Sequence, residues 1–273
     1  MPGPKLVPCP EKISDAFPAL PEGAPFTAKE KQYLAGRMLK AVYLNFAPGA
    51  EGLLATKLGG TPFLPAGETY PSCPACGRPM HCLFQANFQE AGYRLVPGCD
   101  LLVFYFCFHC NPLNYEEPGW EIRTYREPEK LEPPAVQPPP LPDQQEVKGF
   151  IVPVTGACLT AAYRPGFDLP QRFDAGVQKQ VARNPLARQR YTDYLQELRG
   201  GLAASKIGGW LECEQDPLYT ACACGAELAH IVTISTSNYT PWVVADIGSL
   251  YLAGCPAPDC QEGSSVYWWV DWS

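Results

Sequence analysis

The sequence predicts an α+β, mainly β fold: two duplicated antiparallel β lobes with a few helices around them. Three observations carry that expectation. Two C-x2-C pairs, Cys73/Cys76 and Cys107/Cys110, stand 30 residues apart, and Cys222/Cys224 with Cys255/Cys260 repeat the arrangement across another 30. Lys57-Leu-Gly-Gly60 precedes the first set as Lys206-Ile-Gly-Gly209 precedes the second. The offset is 149 at the lysines and 148 at Cys76/Cys224, so a whole lobe has been copied with one residue unmatched. Finally, the 31 prolines in 273 residues are about twice the usual share and favour short strands, turns and extended connectors over helices. A copied lobe implies two similar halves facing each other, with the crevice between them as the natural place for a ligand.

Residues 1–51 read as a proline-rich arm followed by a helix. Thr27-Ala-Lys-Glu30 has capping-box spacing, and Tyr33, Leu34, Met38, Leu39 and Val42 recur at helical intervals up to about Phe46. Residues 52–130 form the first repeat. Its paired glycines permit a turn that a side chain would block. Leu101–Phe108 is an unbroken apolar run that reads as a central strand ending at Cys107, and Trp120–Tyr125 alternates as a half-exposed strand. Residues 131–150 are a stiff linker, with six prolines between 133 and 142. Residues 151–205 are assigned to a helical connector in which Pro185 breaks a helix spanning about 171–198. Its arginines and Lys179 give a locally basic, solvated face. Residues 206–273 form the second repeat, in which Ile231–Thr236, Ser249–Leu252 and Val266–Trp272 match the strands of the first in order.

Paired cysteines at this spacing in a large chain with an odd total of 13 are metal ligands rather than a disulfide framework. Four thiolates suit zinc. Two zinc ions are expected, one on Cys73, Cys76, Cys107 and Cys110, the other on Cys222, Cys224, Cys255 and Cys260. Cys213 is an alternative to Cys222, because the second set opens with C-x-C. Cys9, Cys82, Cys99, Cys158 and Cys213 otherwise read as small buried hydrophobes. Of the three histidines, His81 and His230 sit at similar positions after the first knuckle of each repeat, a pattern that duplication explains without chemistry.

Lys57-Leu-Gly-Gly-Thr-Pro, Cys73-Pro-Ala-Cys-Gly-Arg-Pro-Met80, Leu83-Phe-Gln85, Leu102-Val-Phe-Tyr-Phe-Cys107 with Cys110, and Trp120-Glu-Ile-Arg123 resemble the blocks of the YwqG-like bacterial family and of the related programmed-cell-death-protein-2-like zinc proteins. Lys206-Ile-Gly-Gly209, Cys224-Gly and Asp246-Ile-Gly-Ser-Leu-Tyr251 extend the resemblance, which covers about 52–130 and 190–273. The MYND-type finger of the eukaryotic branch is absent. The resemblance implies protein binding: eukaryotic relatives look like chaperones of a small-subunit ribosomal protein, and some bacterial ones resemble immunity proteins that neutralise a toxin.

The residues themselves show no catalytic fingerprint such as G-x-S-x-G, H-E-x-x-H or a Walker loop. An all-thiolate zinc site also leaves no open position for water. With 21 basic against 28 acidic residues the net charge is −7. That balance argues against a nucleic-acid-binding zinc knuckle and suits a basic protein partner, whether a ribosomal protein or a toxin. The expectation is therefore a cytoplasmic, non-catalytic, zinc-stabilised binding module. It would capture its partner through exposed aromatics at the crevice, namely Phe63, Trp210, Trp242 and Trp268. No apolar run is long enough to span a membrane.

Overall fold

The computed structural model describes residues 24–49, 52–92, 98–132, 151–152, 159–170, 175–199, 205–213, 215–236, 243–244, 248–257, 260 and 266–272. The proline-rich linker, Trp242, Cys9 and Cys158 lie outside them. Helix α1 (Ala28–Ala35) starts on the expected capping box: the Thr27 amide donates to Glu30 Oε2 at 2.8 Å and the Glu30 amide to Thr27 Oγ1 at 3.3 Å. It stops at Gly36 instead of running on towards Phe46, because Leu39–Pro48 is strand β1. Leu39, Val42 and Phe46 are spaced as on a helix, yet Ala41, Val42, Tyr43 and Leu44 are all buried. A strand covered on both faces shows no alternation to betray it.

Strands β2 (Lys57–Leu58), β3 (His81–Asn87), β4 (Leu101–Phe106) and β5 (Trp120–Tyr125) complete the first half. A short β6 (Ile151–Val152) is followed by β7 (Leu159–Asp168). This ten-residue strand corrects the assignment of 151–205 to a helical connector. Pro165 and Gly166 disguise it as a turn. The sheet tolerates Pro165 because β7 meets its second neighbour, β2, only at Leu159 and Thr160, so a missing donor further along costs no ladder bond. Helices α2 (Ala175–Gln180) and α3 (Pro185–Arg199) are divided where expected. Pro185 opens α3, and Asn184 Oδ1 accepts the Ala187 amide at 2.9 Å. The second half ends with β8 (Lys206–Gly208), β9 (Ala229–Ser235), β10 (Val243–Val244), β11 (Ser249–Gly254) and β12 (Val266–Asp271).

Ten strands form one antiparallel sheet in the order β12-β11-β9-β8-β1-β7-β2-β3-β4-β5, and β6 pairs with β10 in a second, two-stranded sheet. The large sheet is symmetric about the β1–β7 pair, and the symmetry contains an exchange. β1 precedes β2 in the chain but pairs with β8, while β7 precedes β8 but pairs with β2. Each half therefore lends its first strand to the other. The copies agree down to an irregularity: the β3–β4 register slips at Leu83, between Cys82 and Phe84, and the β9–β11 register slips at Ile231, between His230 and Val232. Both residues that absorb the bulge are fully buried.

One sheet runs through both halves. The sheet rolls until its ends meet: Tyr115 N–H donates to Trp268 O and Val270 N–H to Leu113 O, each at 2.9 Å, which joins β12 to the segment before β5. The interior is packed by Val42, Leu44, Phe104, Phe106, Ile207, Leu252 and Trp268, among others. The Trp268 ring lies 5.2 Å from Phe104 and 5.9 Å from Trp120. Two further clusters cover the outer faces, one on each half: Phe63, Cys82, Val103 and Tyr105 in the first, Leu228, Tyr251, Ala253 and Trp269 in the second. Burial on both faces is why these strands read as continuous apolar runs. β5, at the end of the sheet, is half-buried from Trp120 to Thr124 and buried at Tyr125.

Helices α1, α2 and α3 pack separately through Leu34, Val177, Val181, Tyr191 and Leu195. Buried Glu30 ties them together by accepting from Arg183 at 3.2 Å and Arg190 at 3.0 Å. Burial opposes its ionisation, but the Thr27 amide and hydroxyl and the two guanidiniums hold its pKa below the usual carboxylate value. Arg183, just before α3, and Arg190, on it, are thus both engaged by Glu30. Among the described residues no helix is long and apolar enough to cross a membrane.

Candidate metal centres

Each half carries one cysteine quartet on two loops at the same end of its strands. In the first, Ser72 bridges Pro79 and the Cys73 amide donates to Arg78 O at 2.8 Å, a tight knuckle turned by Gly77 at φ 73°. In the second, Ala221 bridges Glu227 and the Cys222 amide donates to Ala226 O at 2.8 Å, turned by Gly225 at φ 86°. The second knuckle is one residue shorter. The single unmatched residue of the duplication therefore falls inside it, and C-x-C does the work of C-x2-C.

The sulfur geometry fits a metal in both places. Cys73 and Cys110 Sγ are 3.6 Å apart, as are Cys76 and Cys107. Cys222 and Cys260 are separated by 3.7 Å, and Cys224 and Cys255 by 3.5 Å. Within each quartet every sulfur lies within 4.8 Å of the others. A tetrahedron with metal–sulfur bonds of about 2.3 Å has edges of about 3.8 Å. Both clusters can therefore hold a metal ion, and four soft donors at this spacing suit zinc. Cys222, not Cys213, completes the second quartet. Cys213 is buried beside it, and Cys82 and Cys99 are likewise buried. All the described cysteines are reduced.

Ionisation of the quartets shows why a cation belongs there. Burial works against a thiolate at Cys76, yet the Arg78 amide and the neighbouring thiols hold it below the ordinary thiol value. Cys107 and Cys110 are raised, by burial first and then by the sulfurs around them. The second quartet repeats the pattern. Cys222, buried but hydrogen-bonded by the Cys224 amide, by neighbouring thiols and by Tyr267, sits down at about 7, while burial and its sulfur neighbours push Cys255 up to about 12. Each quartet thus lowers one thiol, Cys76 or Cys222, and raises at least one neighbour, Cys107 and Cys110 in the first and Cys255 in the second. A divalent ion held by the four sulfurs would favour their deprotonated forms and would add folding free energy.

Three supporting residues escape motif reading. Gly119 lies at φ 120°, and a Cβ there would stand 3.2 Å from Cys110 Cβ and 3.3 Å from Pro112 Cδ, so glycine is what lets the loop close over the second knuckle of the first site. Asn111, also at positive φ, exchanges two hydrogen bonds with the backbone of Ile151, at 2.8 and 3.1 Å, and so anchors β6 to that site. The Tyr267 hydroxyl accepts from the Ala223 amide at 3.2 Å and donates to Cys222 Sγ at 3.8 Å. The visible signal was only the Asn-Pro that follows Cys110; the other two follow from packing.

The histidines are not duplicates. His230 aligns with Cys82 in the two ladders, one residue away from the counterpart of His81, and adjacent strand residues point to opposite faces. His81 packs on Phe108, and burial lowers its pKa. His109 accepts from Arg78 at 2.6 Å on the exposed knuckle. His230 is buried with Nδ1 on Gly208 O at 2.9 Å and Nε2 on Thr233 Oγ1 at 2.8 Å; burial, then the Lys206 charge, bring its pKa down to about 3. Beside it lies a buried ionic knot. Lys206 donates to Asp168 Oδ2 and to Glu212 at 3.4 Å, while the Trp210 amide donates to the same Asp168 oxygen at 2.9 Å.

Of the aromatics expected at a crevice, Phe63 and Trp268 are 1% and 0% exposed and belong to the core. They are large apolar side chains on strands or turns with no open side. Trp210 is half-buried: its Nε1 donates to Arg37 O at 2.9 Å, and the Arg37 guanidinium lies 4.8 Å from the ring centroid.

No curated protein matches the chain. The family model described as domain of unknown function DUF1963 matches residues 56–253, from the start of β2 almost to the end of β11, and takes in the whole first cysteine quartet and Cys222 and Cys224 of the second. The chain belongs to the DUF1963 family.

Proposed function

We propose that this chain is a non-catalytic, zinc-stabilised protein-binding module that chaperones or sequesters a basic protein. The observation that carries the reading is the pair of four-sulfur quartets, each able to give a metal four protein ligands. A zinc so held would stabilise the loops through Cys73, Cys76, Cys107 and Cys110, and through Cys222, Cys224, Cys255 and Cys260, and would keep no position for a substrate. The histidines add support, since His230 has both ring nitrogens engaged and His81 is packed away from solvent. The net charge of −7 suits a cationic partner. The resemblance to YwqG-like and programmed-cell-death-protein-2-like proteins points the same way, with a ribosomal protein as the chaperone's client or a toxin as the target of an immunity protein. Of the four aromatics first considered, Trp210 is the described one with part of its surface open.

The test is capture from native lysate with the zinc-loaded protein, followed by mass spectrometry. One dominant basic protein is expected, lost with Trp210→Ala while zinc content is kept. Reproducible turnover of a small substrate by the pure protein would overturn the reading.

A further inference from the structure

Strand β5 ends the ten-stranded sheet. The opposite end, β12, is covered by the segment around Asn114, but no described backbone pairs with the outer edge of β5. Its register shows which groups stand open. Cys107 N–H donates to Gly119 O at 2.7 Å, which makes that pair hydrogen-bonded, and the pairs two and four residues along, Tyr105 with Glu121 and Val103 with Arg123, follow in the same class. Trp120, Ile122 and Thr124 therefore turn their N–H and C=O groups outward.

The exposed sequence is self-complementary. Set antiparallel against itself about Ile122, Trp120-Glu121-Ile122-Arg123-Thr124 places Trp120 opposite Thr124, Ile122 opposite Ile122, and Glu121 opposite Arg123, each mixed pairing occurring twice. Aromatic with β-branched and acidic with basic are favourable cross-strand pairs. The outward groups fall into hydrogen-bonded positions in that register, giving six backbone bonds across the two-fold axis. Arg123 already bonds Glu121 at 2.6 Å and Glu68 at 2.9 Å. The guanidinium also donates to Thr69 O at 3.0 Å and lies 5.4 Å from the Tyr105 ring centroid, so both charged groups are already ordered on one face of the sheet beside the edge.

We infer that the β5 edge is a docking surface for a second copy of this chain, forming a weak, symmetric, edge-to-edge dimer. The occupant follows from charge complementarity: five consecutive residues match their own reverse, whereas an unrelated strand would have to supply that pattern.

Sedimentation equilibrium of the zinc-loaded protein across the micromolar range tests this, with the melting temperature of each variant as a check on folding. A monomer–dimer equilibrium is expected. Ile122→Pro removes two of the six bonds without taking any from the β4–β5 ladder, and should raise the dimer dissociation constant by about thirtyfold. Arg123→Glu or Glu121→Arg sets like charges opposite each other and should weaken it by about tenfold. The double variant Glu121→Arg/Arg123→Glu should restore dimerisation. A wild-type chain that stays monomeric throughout overturns the proposal, even if an added basic peptide binds the edge. So does a dimer indifferent to Ile122→Pro, or one that the double charge reversal fails to rescue.

Discussion

Gly209 shows how much can depend on a missing side chain. At φ 75° it occupies backbone space that other residues enter only with strain. A Cβ there would also lie 2.6 Å from Asp168 Oδ2 and 2.9 Å from Asp168 Cβ. Gly209→Ala should therefore dislodge the carboxylate that Lys206 and the Trp210 amide share, leaving a buried lysine short of its counter-ion. A loss of about 3 to 5 kcal/mol in denaturant unfolding is expected; a change under 1 kcal/mol would show the Asp168–Lys206 pair to be energetically idle. His230 supports a second expectation. Its folded pKa, about 3, lies below the ordinary 6.5, so the stability that depends on neutral imidazole is fully present above about pH 6.5 and is lost as the pH falls towards 3. Between pH 7 and 5 the wild type should lose stability faster than His230→Asn. Parallel slopes in matched urea melts would refute a buried neutral ring.

At the level of elements, the cysteine loops and the strands that carry them were legible because both signals are local: ligand spacing within a knuckle, and apolar runs of strand length ending in a cysteine. β1 and β7 were not. The first imitates a helix because both its faces are buried, and the second hides behind Pro165 and Gly166; each is made a strand by a partner far away in the chain. The placement of two aromatics failed for a related reason. Sequence shows that two halves exist but not that one sheet runs through both, which turns Phe63 and Trp268 into core. For the metal sites, protein purified without added metal should hold two zinc ions per chain by elemental analysis. Cys107→Ser should hold one and melt at a markedly lower temperature, since structural zinc supplies on the order of 10 kcal/mol in small domains. One ion in the wild type would remove the shorter, C-x-C knuckle from the account.

On the scale of the whole molecule, the exchanged strands mean that neither half owns a complete sheet. A chain divided within 133–150 should give two pieces that fail to fold when expressed alone. Co-expressed, they should reassemble with both zinc ions and a single melting transition, because β1 completes its ladders only against β7 and β8. Circular dichroism of a well-folded isolated first piece would contradict this. The same feature has a consequence for how the protein is made. β1 leaves the ribosome well before β7, which follows it by more than a hundred residues. At roughly 5–20 residues per second the wait is on the order of 10 s. Meanwhile β2 to β5 can close by neighbouring hairpins and their knuckles can load zinc, while a ten-residue strand with two apolar faces remains without a partner. Such a strand is adhesive. The period of greatest danger for this protein is thus its own synthesis, and conditions that stall translation before residue 159 should increase the fraction of nascent chain lost to aggregation.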